Sequence, residues 1–230
     1  MNLYKDSLLA NILIFKGGTA AYFFYDLPRF STDLNFDMMF TGVYKEGTKQ
    51  YVYDKVSEIL EKFGYEILDV YLKRNTLFWL ISYEKYQANI KIEISTRTLG
   101  MSADELPNYS SRNYYGESVL VVEPGTLVAQ KLIAVQSRRK PANRDLFDAN
   151  FFLNSKYAAE IDFGYIEKQT GKDRKKFLLD LYTYIGKIKN SVKILNGLGE
   201  VLTEQQREWV KSNLLNELKN SIKIQIDSLD

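Results

Sequence analysis

A chain of 230 residues is long enough to bury a sizeable core without covalent staples, and this one contains neither cysteine nor histidine. Thiol nucleophiles, histidine bases, Ser-His-Asp triads and Cys/His zinc sites are therefore excluded, which leaves carboxylates, Lys, Arg, Tyr and hydroxyls for chemistry. Thirty-one basic against twenty-nine acidic residues give a formal charge of +2, so any nucleic-acid surface has to be a local patch rather than a global field. The opening Met1-Asn2-Leu3-Tyr4-Lys5-Asp6 lacks the basic and apolar regions of a secretory signal, and no apolar run approaches the roughly 18 residues that span a bilayer. A cytoplasmic protein with no membrane association is expected.

In chain order, the apolar run Asn11 to Phe15 predicts a short strand that hands over at Gly17-Gly18 to a helix through Thr19-Ala20-Ala21-Tyr22-Phe23-Phe24. Pro28 closes that helix region, and Asp33-Leu34-Asn35-Phe36-Asp37-Met38 alternates with the period of a half-buried strand. Val52, Val56, Ile59, Leu60 and Phe63 recur at helical spacing, predicting a helix from about Gly47 to Phe63. Three strands are then expected at Glu66 to Leu72, Thr76 to Tyr83 and Asn89 to Ser95, followed by an irregular polar stretch from Thr96 to Glu117 and a strand from Val119 to Val122. After Pro124 the periodicity is helical: Leu127 to Arg138, Asp145 to Leu153, Asp173 to Ile188 and Thr203 to Ile226. The pattern predicts an α+β fold. Residues 1–123 would form a mixed β-sheet flanked by helices, and residues 124–230 a helical domain closing a cleft over it.

Three features carry chemistry. Lys16-Gly17-Gly18-Thr19 lies where a strand becomes a helix, and a glycine pair at a helix N-terminus lets a phosphate approach unpaired backbone N–H groups, although such a pair also makes a plain tight turn. Alternation puts Asp33, Asn35 and Asp37 on one strand face, where oxygen donors suit Mg²⁺ together with substrate phosphates; a solvent-facing sheet surface is the bland alternative. On the strand Asn89 to Ser95, Lys91 and Glu93 share a face, so Glu93 could act as a further oxygen ligand or general base, or the pair could simply decorate an edge strand.

Together, Gly17-Gly18-Thr19, Arg29-Phe30-Ser31-Thr32-Asp33-Leu34-Asn35-Phe36 and Lys91-Ile92-Glu93 resemble the nucleotidyltransferase fold shared with polymerase β. The run from Phe15 to Asp37 is more closely similar to the AbiEii/AbiGii toxin family of nucleotidyltransferases, whose downstream lysine and arginine–aspartate pair would here be Lys131 and Arg144-Asp145. The resemblance implies transfer of a nucleoside monophosphate from a nucleoside triphosphate, with Mg²⁺ or Mn²⁺, to an acceptor that is tRNA in some relatives. It also implies a toxin role in phage defence, paired with a cognate antitoxin. By the same resemblance Gly17, Gly18, Thr19, Arg29 and Ser31 would bind the nucleotide, and Asp33, Asn35 and Glu93 would hold metal. Lys131 would contact the nucleotide, and Asp33, Lys131 and Asp145 would serve catalysis.

One position departs from the family: Asn35 stands where a second metal aspartate is expected. Asp37 lies roughly 6.6 Å further along the strand at about 3.3 Å per residue, too far to share ions held about 3.5–4 Å apart. The second expectation is therefore a weakened or inactive relative that binds nucleotide or RNA as an interaction protein. Three other features are given structural readings: Arg138-Arg139-Lys140 as a solvated loop rather than an RNA contact, Trp79 as core rather than a stacking platform, and the stripe Val210, Leu214, Leu218, Ile222 and Ile226 as internal packing. The basic run Lys172 to Lys176 opens a helix, where positive charge is mildly unfavourable.

Overall fold

The structure is a computed structural model and describes residues 2–39, 47–84, 88–103, 105–138, 142–188 and 192–229. The chain divides into two units, Met1–Asp26 with Ser31–Glu123, and Leu27–Phe30 with Pro124–Asp230.

In the first unit a 3-10 turn, Asn2–Lys5, leads into α1 (Ser7–Ile12), β1 (Leu13–Lys16), α2 (Gly17–Phe24), β2 (Leu34–Met38) and α3 (Thr48–Lys62). Strands β3 (Glu66–Lys73), β4 (Thr76–Glu84), β5 (Ala88–Ser95), β6 (Tyr109–Tyr114) and β7 (Glu117–Val122) complete it. All seven strands join one mixed sheet in the order β3-β4-β5-β2-β1-β7-β6. Strand β1 runs antiparallel to β2 and parallel to β7, while β2 runs parallel to β5.

Alternation sorts the two faces of this sheet. Leu13, Phe15, Phe36, Met38, Leu77, Trp79, Ile92 and Ile94 share one face by register and are all buried. Helix α3 covers that face: the Trp79 indole N–H donates to Ser57 Oγ at 2.9 Å, and Tyr53 stacks on the Trp79 ring. Trp79 is thus core, as its strand context suggested. The opposite face carries Lys16, Asn35, Asp37 and Glu93.

The second unit contains α4 (Pro124–Ser137), α5 (Asn143–Leu153), α6 (Phe163–Thr170), α7 (Arg174–Gly186) and α8 (Glu204–Asp227). Val210, Leu214, Leu218 and Ile222 are buried where α8 packs on α5 and α7, so the stripe is internal packing up to Ile222, while Ile226 is half-buried. Backbone and side-chain bonds fasten the segment Leu27–Phe30 into this unit: Phe30 N–H donates to the Val201 carbonyl at 3.1 Å, and Gln206 Nε2 to the Pro28 carbonyl at 2.6 Å. Among the described residues no helix is long and apolar enough to cross a membrane.

Three local expectations differ from the structure. The strand expected from Asn11 starts at Leu13, because Asp6 accepts hydrogen bonds from the Leu8 and Leu9 N–H groups and caps a helix there. Part of the stretch expected to be irregular is β6, a polar strand at the sheet edge whose side chains lack the apolar alternation that signals burial. Helix α6 went unpredicted although Asp162 caps its start and Gly171, at φ 68°, ends it. The basic run before α7 has structural partners: Lys172 reaches Asp180 at 2.7 Å, and the Arg174 guanidinium lies over the Phe163 ring.

Gly125, in the first turn of α4, packs against the backbone of Glu160, and a Cβ there would collide with the Glu160 carbonyl oxygen. Gly186, at the end of α7, has only the flexible tip of Lys219 nearby, at 3.8 Å. Gly125→Ala should therefore lower unfolding free energy by about 1–3 kcal/mol. Gly186→Ala should leave it unchanged or raise it by about 0.4–1 kcal/mol. Urea midpoints of the two variants check the contrast, and equal effects would refute it.

Candidate active site

In the first unit, β1 ends at Lys16 and turns directly into α2 through Gly17, whose φ is +79°. A side chain is ruled out there twice over: the backbone is left-handed, and an added Cβ would stand 3.0 Å from Asn35 Nδ2. Helix α2 has no side-chain cap, so the N–H groups of its first turn have no partner from an N-cap side chain.

Thr19 is buried, and its hydroxyl donates to the Asp33 carbonyl at 2.6 Å and is hydrogen-bonded to Ser31 Oγ at 2.9 Å. Asn35 Nδ2 donates to the same Asp33 carbonyl at 3.3 Å. The hydroxyls of Thr19 and Ser31 therefore fasten the entry of β2 to α2. What α2 offers toward a phosphate is its backbone N–H groups.

Register places Lys16 beside Asn35 and Asn35 beside Glu93, a row across β1, β2 and β5. Strands about 4.8 Å apart make such a row roughly 10 Å wide. Asp37 lies on this face but forms an ion pair with Lys16 at 2.6 Å, and its side chain is only 6% exposed. It is committed to Lys16, in keeping with the distance argument against its standing in for Asn35.

Asp33 and Glu93 offer carboxylate oxygens and Asn35 an amide oxygen, all hard donors of the kind Mg²⁺ takes. Among the described residues no group of three or more acidic side chains gathers into a ready-made cage. The set fits a divalent ion that arrives with phosphate oxygens to complete its shell, which is how Mg²⁺ is commonly bound.

In the second unit a buried charge network surrounds Asp148, whose side chain is 0% exposed. Arg29 grips it in bidentate fashion, Nε to Oδ1 at 2.5 Å and Nη2 to Oδ2 at 2.7 Å. Lys131 Nζ lies 2.7 Å from Asp148 Oδ2 and 3.4 Å from Asp145 Oδ1. Burial pushes the Asp148 carboxyl up, but Lys131 and Arg29 outweigh it and hold the group below the usual carboxylate range.

Asp145 is buried too; Arg138 Nη1 stands 3.4 Å from its Oδ2, yet that oxygen accepts no hydrogen bond in the structure. Three cations thus face two carboxylates, and one carboxylate oxygen is left with hydrogen-bonding capacity.

The sequence singled out Lys131 and Asp145, and they meet in this network. Arg29, expected to touch nucleotide, is engaged by Asp148 instead. Asp148 itself was passed over, although a carboxylate within Leu146-Phe147-Asp148-Ala149, three positions after Asp145 on the same helix face, was a legible signal. Arg144 of the expected Arg–Asp pair donates from its Nε to the Gly197 carbonyl. Of the basic loop, Arg138 pairs with Asp145, and residues 139 and 140 lie outside the described residues.

Removing the Asp148 charge leaves Arg29 and Lys131 buried without their counterion, so Asp148→Asn should destabilise the protein by about 3–5 kcal/mol. A carboxyl held below its unfolded value contributes stability that is complete above about pH 3.9 and lost as pH falls through the folded value. Wild-type unfolding free energy should therefore fall on acidification below about pH 4, and Asp148→Asn should flatten that limb. Parallel acid limbs in urea titrations would remove Asp148 from this role.

A family model described as "Nucleotidyl transferase AbiEii toxin, Type IV TA system" matches residues 2–223. Comparison with curated proteins finds no match. Among solved structures, a proposed nucleotidyltransferase from H. pylori superposes with a TM-score of 0.60 at 19% identity, covering 99% of this chain and 90% of that one. The Helicobacter pylori protein JHP933 superposes with a TM-score of 0.53 at 18% identity, over 99% and 90% of the two chains. At such identities the structures testify to the fold, and the expected α+β nucleotidyltransferase-like architecture is the one found. With the family model spanning nearly the whole sequence, the chain belongs to the AbiEii nucleotidyltransferase toxins of type IV toxin–antitoxin systems.

Proposed function

We propose that this protein transfers a nucleoside monophosphate from a nucleoside triphosphate to an RNA acceptor, tRNA being the class the family resemblance suggests, as a cytoplasmic toxin held in check by a cognate antitoxin. The observation that carries the reading is the row Lys16, Asn35, Glu93 laid by strand register beside the glycine turn of α2, which sets oxygen donors next to phosphate-binding backbone.

In the reaction, an acceptor hydroxyl attacks the α-phosphorus, the bond to the β-phosphate bridging oxygen breaks, and pyrophosphate leaves. The α2 N–H groups of Gly17, Gly18 and Thr19 hold the triphosphate. Asp33, Asn35 and Glu93 would hold a divalent ion, which supplies charge neutralisation on the phosphates when bound. Glu93, exposed at the sheet face, would serve either as such a ligand or as the base that takes the proton from the attacking hydroxyl. By the family resemblance Lys131 would contribute positive charge to the nucleotide. Arg29 and Ser31 position their neighbours Asp148 and Thr19 rather than touch substrate.

Asn35 supports a second reading, a relative that binds nucleotide but transfers poorly, since an amide brings an oxygen without the charge of a carboxylate. Incubation with labelled nucleoside triphosphates, Mg²⁺ and total RNA separates the two. Label on RNA, abolished by Asp33→Ala and raised about tenfold by Asn35→Asp, is the expected outcome; that factor corresponds to about 1.4 kcal/mol of barrier. Loss of transfer in Asn35→Asp would make the amide an adapted ligand. Thermal stabilisation by Mg²⁺-nucleotide without any label would establish the binding protein.

A further inference from the structure

A cavity of about 250 Å³ in the first unit is lined by Lys49, Arg74, Asn75, Thr96 and Arg97, with no acidic residue on its wall. In a chain whose charges nearly cancel, three cations sharing one recess is a local excess. The Arg74 and Arg97 side chains are exposed, and among the described residues neither guanidinium makes an ion pair or hydrogen bond. An arginine fork left in that state is free to take an oxyanion in bidentate fashion.

The frame around these charges is fixed by backbone bonds. Lys49 Nζ donates to the Arg74 carbonyl at 2.5 Å, the Thr96 hydroxyl donates to the same carbonyl at 3.3 Å, and the Thr96 N–H donates to the Asn75 carbonyl at 3.0 Å. The β3–β4 turn, the end of β5 and the start of α3 are thereby tied into one wall. Lys49 also sits in the first turn of α3, where the helix dipole has the same sign as its charge.

Arg97 follows Glu93 by four positions, so the two lie at most about 14 Å apart along the chain. At a helical rise of about 3.4 Å that is no more than about four nucleotide steps. A polynucleotide whose terminus lies at Glu93 has several phosphates within that reach.

We propose that this cavity binds backbone phosphates of the nucleic-acid acceptor and so selects a polymer rather than a mononucleotide as the second substrate. The inference rests on the nucleotidyl-transfer reading above. Its chemistry, an oxyanion on paired arginines, is shared with free pyrophosphate, and the experiment has an arm for each.

The full-length protein is titrated with a fluorescein-labelled single-stranded RNA across a salt series, read by anisotropy, and separately with inorganic pyrophosphate by calorimetry. In the double variant Arg74→Gln/Arg97→Gln the salt slope should fall by about 1.4, at roughly 0.7 per phosphate contact, while thermal stabilisation by Mg²⁺-nucleotide stays at the wild-type value. The double variant Arg74→Lys/Arg97→Lys should keep the slope, since it keeps the charges. An unchanged slope and affinity in the glutamine variant overturns the proposal. So does pyrophosphate binding that depends on the two arginines together with RNA binding that does not, which would assign the cavity to a free anion. Absence of any Mg²⁺-nucleotide stabilisation in the wild type would fail the transfer reading instead, and arginine-dependent RNA binding would stand without it.

Discussion

A carboxylate removed from water has to be matched by positive charge, and much of the helical unit is arranged to meet that demand at Asp148. Two cations from distant points of the sequence converge on it: Arg29 from the segment between α2 and β2, and Lys131 from α4. The same contacts fix Lys131, whose long side chain would otherwise sample many rotamers, at an orientation it shares with Asp145. Stability and function are therefore not separable here by residue. A change at Asp148 acts on folding through an uncompensated charge and, on the proposed reading, on chemistry through the loss of direction in Lys131.

The sheet of the first unit solves a related problem with alternation. Leu34 and Phe36 face the α3 side while Asn35 and Asp37 face the other, so a single short strand supplies both core packing and a polar face. A slip of one residue would exchange the two faces, burying Asn35 and exposing Phe36, so the hydrophobic requirement fixes the functional register. The Thr19 hydroxyl reinforces it by holding the Asp33 carbonyl just before β2 begins. Gly17 is the third constraint, because Asn35 packs against the space a side chain would need.

Periodicity made most of this fold legible. Helix α3 and strands β3, β4 and β5 fall within about two residues of their expected bounds because their apolar spacing is strict and each has a buried face. Strand β6 was hidden because an edge strand of Tyr, Ser, Arg and Asn carries no burial pattern, and its pairing partner β7 is known only in three dimensions. Gly17, Asn35 and Glu93, singled out by residue type and spacing, lie side by side in the sheet and its first turn. What could not be read was who partners whom: Arg29 and Asp148 are 119 positions apart, and only tertiary structure makes one the counterion of the other. Likewise Thr19 and Ser31 read as phosphate-facing hydroxyls until their mutual bond is seen.

The charge on the polar face of β2 and β5 bears on what Asn35 means. Lys16 and Asp37 cancel as a pair, and Asp33 and Glu93 are the other carboxylates near Asn35. Two negative charges balance one divalent cation, whereas a second aspartate at position 35 would supply charge for a second ion to be shared. On the proposed reading, the second ion has to come balanced by the triphosphate itself, so metal occupancy becomes tied to nucleotide occupancy. The Asn35 amide N–H donates to the Asp33 carbonyl, which keeps the amide oxygen at the entry of β2 where such a shared ion would have to sit on the proposed reading.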